Sequence, residues 1–185
     1  MISLENIDQL AEELEKQELQ AQGGVSTPQL YGQLLAIYLY QFDLCNAKFL
    51  WKRIPQNIKS QNTELGHIWN VGKAMWQREL PAVYTALSST SWTDNVKPIM
   101  VGLKDKVREK CIGLVCKAYS SLNLEMLSLL LGMTTQEAIE LAKKNGWNIE
   151  DNIIFPVQQT SIPVNITSTE QQLHKLTNFV SFLEN

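Results

Sequence analysis

Residues 123–157, NLEMLSLLLGMTTQEAIELAKKNGWNIEDNIIFPV, show the pattern of a winged helix. An apolar run ending at a glycine predicts a short helix, and Thr134 with Glu137 matches the capping box that begins a second helix. Two short apolar segments then flank Asp151-Asn152, a pair that favours a tight hairpin turn. Helix, turn, helix and hairpin in this order are typical of a winged helix.

The charge of this segment differs from that of a DNA-binding winged helix. A helix-turn-helix that reads DNA neutralises phosphates with lysine and arginine. Here five acidic residues stand against two basic ones, a net charge of −3: Glu125, Glu137, Glu140, Glu150 and Asp151 against Lys143 and Lys144. The segment therefore predicts a winged helix that binds protein. A strand at the edge of its hairpin would be able to pair with a strand of a partner.

The whole chain has 185 residues, of which 44% are hydrophobic and 19% charged, and its formal net charge is −3. This is the size of one domain or of two small packed modules. The charge provides no general attraction to nucleic acid or to an anionic membrane. Because Cys45, Cys111 and Cys116 have neither CxxC nor another metal-binding spacing, we expect reduced thiols in an intracellular protein.

Residues 1–17 are acidic and amphipathic, which is unlike a signal or transit peptide. No apolar run approaches the ~20 residues that a membrane span needs. We therefore expect a protein of the cytoplasm and nucleus that makes no contact with a membrane.

Residues 1–119 show the periodicity and the short turns of successive helix pairs. The predicted helices span residues 4–20, 28–42, 44–53, 63–79, 81–87 and 94–119, the last beginning at Asp94 or Pro98. Short turns make neighbouring helices antiparallel, so we expect helical hairpins of the TPR- or HEAT-like kind, without repeated sequence. Trp76 is predicted to face inward, and Leu114 lies on the apolar face of the last helix.

The opposite face of that last helix is rich in cations. Lys104, Lys106, Arg108, Lys110 and Lys117 lie there together with Asp105 and Glu109. Two interpretations remain open at this stage. The face is either a solvated surface with ion pairs between neighbouring turns or a basic patch for a partner or RNA.

Residues 158–168 form a polar, uncharged linker, and a final helix is predicted over residues 169–184. Leu173, Leu176, Val180 and Leu183 are spaced 3-4-3, as in a heptad seam, and Phe179 and Phe182 widen it. A helix of ~15 residues is marginal alone in water, so this one is expected to pack on the rest of the chain or on other chains.

These patterns predict a mainly α fold in four parts. Helical-hairpin repeats (1–119) precede a winged helix with a small β-hairpin (120–157), a linker (158–168) and a C-terminal helix (169–185). The predicted protein-contact residues are Leu173, Leu176, Phe179, Val180, Phe182 and Leu183 in the last helix, and Ile153, Ile154 and Phe155 in the hairpin.

The sequence contains no pattern that predicts catalysis. Its two histidines, His67 and His174, are far apart and have no acidic or cysteine companions at ligand spacing. The HExxH, GxSxG, Walker and GxGxxG motifs are absent. We therefore expect neither an enzyme nor a bound metal or cofactor.

The order of these parts resembles the PCI-domain family, whose members build the proteasome lid, the COP9 signalosome and translation initiation factor three. The strings that carry the resemblance are Gly23-Gly24, TPQLYGQLLAIYL (27–39), NAKFLWKRIP (46–55), IWNVGKAMWQR (68–78) and LTNFVSFLEN (176–185). Together they cover most of the chain and are most similar to signalosome members of the family.

The resemblance implies a non-catalytic structural subunit in a hetero-oligomer. In the signalosome, a zinc isopeptidase in a different subunit carries out cullin deneddylation. Winged helices of the family pack edge to edge in an arc, and the terminal helices gather in one bundle. The implied partners are other signalosome subunits, with subunit 3 adjacent.

Two other classes of function remain open from the sequence. One is a subunit of the proteasome lid or subunit k of initiation factor three, which share the layout. The other is a winged-helix protein that binds nucleic acid through the basic face at residues 104–117, although we expect no nucleic-acid partner.

Overall fold

The structure is a computed structural model that describes residues 6–21, 25–157 and 169–183. The elements within these ranges are α1 (Ile7–Gln20), α2 (Pro28–Tyr40), α3 (Leu44–Arg53), α4 (Gln56–Gln61), α5 (Thr63–Gln77), α6 (Leu80–Ser88), α7 (Lys97–Ala118), β1 (Leu122–Asn123), α8 (Leu124–Leu131), α9 (Thr135–Lys144), β2 (Asn148–Glu150), β3 (Ile153–Phe155) and α10 (Thr169–Leu183). The predicted mainly helical fold with a small sheet and a C-terminal helix is confirmed. Gly23-Gly24 and the predicted linker lie outside the described residues. None of the described helices is long and apolar enough to span a bilayer.

Short polar side chains determine where several helices begin. The Leu30 amide donates to Thr27 Oγ1 over 3.3 Å, and the Glu64 amide donates to Asn62 Oδ1 over 3.0 Å. Both hydrogen bonds of the Thr134 capping box are present. These side chains satisfy amides that have no acceptor inside the helix. The helices that follow these caps therefore begin at the predicted residues.

Helix α4 was not predicted from the sequence. Its six residues bury a single apolar side chain, Ile58, and so carry no helical repeat of apolar positions. The segment becomes helical because Ile58 packs into the core of the helical part, to which α5 also contributes. Tertiary packing stabilises a turn that would be too short to form alone.

The helical part (α1–α7) is built around α2. Leu34, Leu35, Ile37 and Leu39 of this helix are completely buried, because α1, α3, α5 and α7 pack against it from several sides. A helix that is apolar on all sides is expected in such a central position. Two carboxylates of α1 hold that helix against its neighbours. The Tyr38 hydroxyl of α2 donates to Glu15 over 2.7 Å, and the Arg53 guanidinium of α3 donates to both Glu18 oxygens over 2.7 and 2.6 Å.

Two side chains that were predicted to face inward are exposed. Trp76 is 50% exposed and Leu114 is 55% exposed. Trp76 lies in the last turn of α5 and packs under the Lys48 ammonium, 4.4 Å from the ring centroid. Helical spacing places both residues beside the core-facing positions, so the periodicity alone did not distinguish them from buried residues.

The winged helix contains a three-stranded antiparallel sheet with the order β1-β3-β2. The hairpin pairs Ile149 with Ile154, and Leu122 of β1 pairs with Ile154 from the other side. The turn residues Asp151 and Asn152 have φ of 42° and 72°, as a two-residue hairpin of type I′ requires. Strand β1 was missed because its two residues carry no alternating pattern. Its presence makes β3 the central strand.

The winged helix has a core of its own. Leu127, Leu131, Ala138, Ala142 and Ile154 are fully buried in it. Leu80 of α6 packs against both this core and the core of the helical part. The two cores therefore meet where α6 and α7 pack against α8.

Arg108 of α7 fastens the winged helix to the helical part. Its Nε donates to the Leu131 carbonyl over 3.2 Å and its Nη2 to the Gly132 carbonyl over 3.1 Å. The carbonyls at the end of a helix lack internal donors, so the guanidinium satisfies groups that α8 leaves open. Arg108 therefore acts as a C-terminal cap supplied by a different helix.

We expect Arg108→Met to lower the free energy of unfolding by about 1–2 kcal/mol, because two charge-assisted hydrogen bonds are lost at a partly buried site. Urea denaturation of both proteins measures the change. Lys117→Met is the matched control on the same helix, since Lys117 is exposed, and it should stay within about 0.5 kcal/mol. Equal urea midpoints for the two variants would show that the Arg108 hydrogen bonds do not stabilise the fold.

Tyr84 of α6 lies where the two cores meet, and its buried hydroxyl makes no hydrogen bond with the described residues. The side chain is 5% exposed. Burial, together with the neighbouring Cys111, raises the pKa of Tyr84 above its usual range. The hydroxyl therefore remains neutral and uncompensated in an apolar environment.

Tyr84→Phe should raise the free energy of unfolding by about 1 kcal/mol, because the substitution removes an unsatisfied buried group and keeps the ring. The comparison is Tyr38→Phe, which removes a hydroxyl that donates to Glu15 over 2.7 Å. That variant should be destabilised by about the same amount. Thermal unfolding measures both changes, and we expect a higher unfolding temperature for Tyr84→Phe and a lower one for Tyr38→Phe. Shifts of the same sign would contradict the conclusion that the Tyr84 hydroxyl lacks a hydrogen bond.

Candidate protein-contact surfaces

Helix α10 presents an apolar face that no described residue covers. Five of its predicted contact residues are more than half exposed: Leu173 (65%), Leu176 (63%), Phe179 (68%), Val180 (51%) and Leu183 (77%). The side chain of Phe182, the sixth, lies outside the described residues. A contiguous apolar face of this kind is typical of a surface that packs against another protein.

The hairpin residues predicted to contact a partner differ in where they point. Ile153 and Phe155 are 43% and 37% exposed, whereas Ile154 is completely buried. Side chains alternate across a strand, so neighbours on β3 face opposite sides of the sheet. Ile154 therefore packs in the core of the winged helix, and Ile153 and Phe155 are the hairpin residues whose side chains reach the surface.

The available edge of the hairpin is β2 rather than β3. Both sides of β3 are occupied, by β1 and by β2, so its backbone groups are already paired. Strand β2 (Asn148–Glu150) has one side without a neighbouring strand among the described elements. Within the hairpin, pairing with a strand of a partner would therefore take place on β2. The outer side of the two-residue strand β1 likewise has no neighbouring strand among the described elements.

The basic face of α7 is not one continuous patch. The Lys106 ammonium lies 4.1 Å from the centroid of the Tyr40 ring, and the Lys110 ammonium lies 3.9 Å from that of Phe42. Arg108 binds the carbonyls at the end of α8. Three of the five cations thus lie against their own chain. Arg108 also forms an ion pair with Asp105 at 4.0 Å, one turn earlier, as the first interpretation predicts. The cation–π contacts of Lys106 and Lys110 were not predicted.

The residues with potential chemical reactivity are dispersed. His67 and His174 are both exposed, on α5 and α10, and Cys111 and Cys116 are buried along α7. Burial raises the pKa of both thiols. Across residues 6–21, 25–157 and 169–183, no group of three or more histidine, cysteine or carboxylate side chains is placed to hold a metal ion.

Helical hairpins, a winged helix with a small antiparallel sheet and a separate C-terminal helix together define a protein of the PCI class. A sequence model described as the CSN8/PSMD8/EIF3K family matches residues 25–166. The chain therefore belongs to the CSN8/PSMD8/EIF3K family.

Its relatives within that family share nearly their full length with it. The chain is 41% identical to COP9 signalosome complex subunit 8 of Xenopus laevis over 182 residues, which cover 97% of the chain and 93% of the relative. The subunit 8 proteins of Danio rerio and Dictyostelium discoideum are 41% and 30% identical, over 96% and 100% of the chain and 94% of each relative.

Proposed function

We propose that the chain is a non-catalytic structural subunit of a COP9 signalosome, which supports cullin deneddylation carried out by a different subunit. The proposal is supported by the names of its relatives and by the contact surfaces described above. The chain would contribute binding surfaces and no reacting group. Its partners would be other signalosome subunits, and it would be found with them in the cytoplasm and nucleus.

The observation that carries this proposal is the apolar face of α10. An isolated helix of ~15 residues is only marginally stable in water, and its apolar side chains favour association. The 3-4-3 spacing of Leu173, Leu176, Val180 and Leu183 suits insertion into a bundle of helices from several chains. We infer that α10 is the principal assembly element.

The winged helix would supply a second contact. The exposed edge of β2 suits pairing with a strand of an adjacent subunit, and the exposed side chains of Ile153 and Phe155 would extend such a contact. The resemblance to PCI proteins makes subunit 3 the expected neighbour.

The experiment that tests this proposal is affinity purification of the tagged full-length chain, followed by mass spectrometry of the proteins that copurify. Signalosome subunits at stoichiometric abundance are the expected result. Because the family also includes PSMD8 and EIF3K proteins, recovery of proteasome-lid or initiation-factor subunits would reassign the complex and leave the structural role intact. Absence of all three sets of subunits would overturn the proposal.

A further inference from the structure

An apolar groove of about 510 Å³ lies on the helical part, and its lining residues include none from the sheet of the winged helix or from α10. Its walls come from the α2–α3 turn, the α5–α6 turn and the middle of α7. The apolar wall includes Phe42, Leu44, Leu80 and Leu114, and two cations, Arg78 and Lys110, line it as well. Binding pockets usually have volumes of ~300–1,000 Å³ and combine apolar walls with a few polar groups. The groove has both properties.

Two residues of this groove occupy backbone positions that normally require glycine. Phe42 and Arg78 both have φ of 61°. Each follows a helix: the Asp43 amide donates to the Tyr38 carbonyl over 2.9 Å, and the Glu79 amide donates to the Ala74 carbonyl over 3.0 Å. These are the hydrogen bonds of a Schellman motif, whose left-handed residue is usually glycine or asparagine.

A bulky side chain in the left-handed region strains the backbone, and such strain is concentrated at functional positions. Both side chains, Phe42 and Arg78, line the same groove. Glycine would relax either turn and would also remove a wall of the groove. A binding role for the Phe42 and Arg78 side chains would therefore explain why these strained positions do not carry glycine.

The charged side chains that line the groove are both cations, Arg78 and Lys110. Lys110 lies over the Phe42 ring at 3.9 Å, and Arg78 is exposed and is absent from the ion pairs found among the described residues. Three carboxylates stand next to lining residues in the sequence, Asp43, Glu79 and Glu109, and none of them lines the groove. Asp43 already accepts hydrogen bonds from the Asn46 amide (3.0 Å) and from its side chain (2.7 Å).

We propose that this groove docks a segment of a partner protein in which carboxylates flank bulky apolar side chains. The apolar side chains would fill the space between Phe42, Leu80 and Leu114, and the carboxylates would pair with Arg78 and Lys110. An amphipathic helix laid in a groove is a common way to satisfy both requirements. The inference goes beyond assembly of the complex, because it uses neither α10 nor the winged-helix sheet.

The test uses the full chain and a fluorescein-labelled synthetic helix of about 15 residues, long enough to form three to four turns, with leucine and phenylalanine on one face and glutamate on both flanks. Fluorescence anisotropy measures its affinity. A second peptide, with lysine in place of each glutamate, is expected to bind at least about tenfold more weakly. Binding of the acidic peptide should also weaken as salt screens the charges. Equal affinity for the two peptides would overturn the proposal.

Two variants locate the binding site. Arg78→Gly should weaken binding of the acidic peptide by about tenfold while the unfolding temperature stays the same or rises, since the turn is relaxed. Arg78→Lys, which keeps the charge, should retain most of the affinity. Leu114→Ser should also weaken binding, whereas Val101→Ser should not, although both residues lie on α7 and are 55% exposed. Unchanged affinity in Arg78→Gly and Leu114→Ser would place the peptide elsewhere.

Other occupants have distinct signatures in the same experiment. If Leu176→Asp with Val180→Asp increases peptide affinity in the full chain, α10 of this chain already occupies the groove, and the proposed partner is wrong. If the wild-type chain self-associates and Arg78→Gly abolishes this, the occupant is a second copy, which also overturns the proposal. Loss of signalosome subunits from the tagged chain with normal peptide binding would contradict the proposed function alone.

Discussion

Gly132→Ala is expected to lower the free energy of unfolding by about 2–5 kcal/mol, because it adds a side chain where the two cores meet. Gly132 ends α8 with φ of 58°, in the left-handed region where a Cβ costs about 1–2 kcal/mol. The added Cβ would also overlap the Tyr84 ring and lie 2.9 Å from Tyr84 Cβ. Forcing an extra methyl into a packed core costs a further ~1–3 kcal/mol.

The side chain of Tyr84 has no easy way to move aside. Its Cβ is fixed to the backbone of α6, and the residue is 5% exposed. We expect the substitution to loosen the winged helix from the helical part. Hydrogen exchange would therefore accelerate in α8 and α9 more than in α2. At about 3 °C per kcal/mol for a chain of this length, the unfolding temperature should fall by about 6–15 °C.

Gly146→Ala is the matched control for backbone strain. Gly146 has φ of 71°, but a Cβ built on it meets no atom within 4 Å. The free energy of unfolding of Gly146→Ala should therefore fall only by the cost of a Cβ in the left-handed region, about 1–2 kcal/mol. If the two alanine variants unfold at the same temperature, the close approach of Gly132 to Tyr84 adds no steric cost, and the predicted tight packing between α6 and the end of α8 is wrong.

Leu176→Asp combined with Val180→Asp is expected to remove the chain from the assembled complex while leaving the helical part and the winged helix folded. Both side chains are more than half exposed in the structure, at 63% and 51%, so their loss creates no cavity in either core. In a bundle of helices, each buried and unpaired carboxylate would cost about 2–5 kcal/mol. Two such groups should reduce incorporation by more than about a hundredfold.

The control for this variant carries the same added charge on the other side of the helix. His174→Asp with Asn178→Asp also introduces two carboxylates, at exposed positions about half a turn from the seam. Size-exclusion chromatography of tagged proteins, with circular dichroism to check folding, separates the outcomes. Co-migration of the seam variant with the large complex would show that α10 is not the assembly element. Equal loss in both variants would indicate a general effect of charge.

The extent to which the sequence predicted the candidate surfaces varies from one element to another. The α10 seam could be recognised because the spacing of its apolar residues is a property of one helix. The groove could not, since Phe42, Leu80 and Leu114 come from three separate elements and lack a common motif. One signal was present: Phe42 and Arg78 lie one or two residues beyond the end of a helix, where glycine is common. That signal is visible only once the ends of the helices are known.

The hairpin shows that a correct local prediction does not determine which side chains and which edge reach the surface. Ile153, Ile154 and Phe155 were correctly expected to form a strand after a tight turn. The position of that strand in the sheet depends on β1, which pairs with it across 30 residues or more of chain. Because β1 occupies one side of β3, the free edge of the hairpin lies on β2, and the Ile154 side chain is buried in the core.

Caps, turns and periodic apolar positions lie within a few residues of one another, so the amino-acid sequence alone was sufficient for the mainly helical class, for most helix starts and for the acidic winged helix. Contacts between distant segments decided the rest. They made α4 helical, exposed Trp76, set Arg108 on the end of α8 and brought Phe42 and Arg78 to one groove. The physical reason is that burial and pairing depend on which surfaces meet in space, and no local preference of the backbone specifies those neighbours.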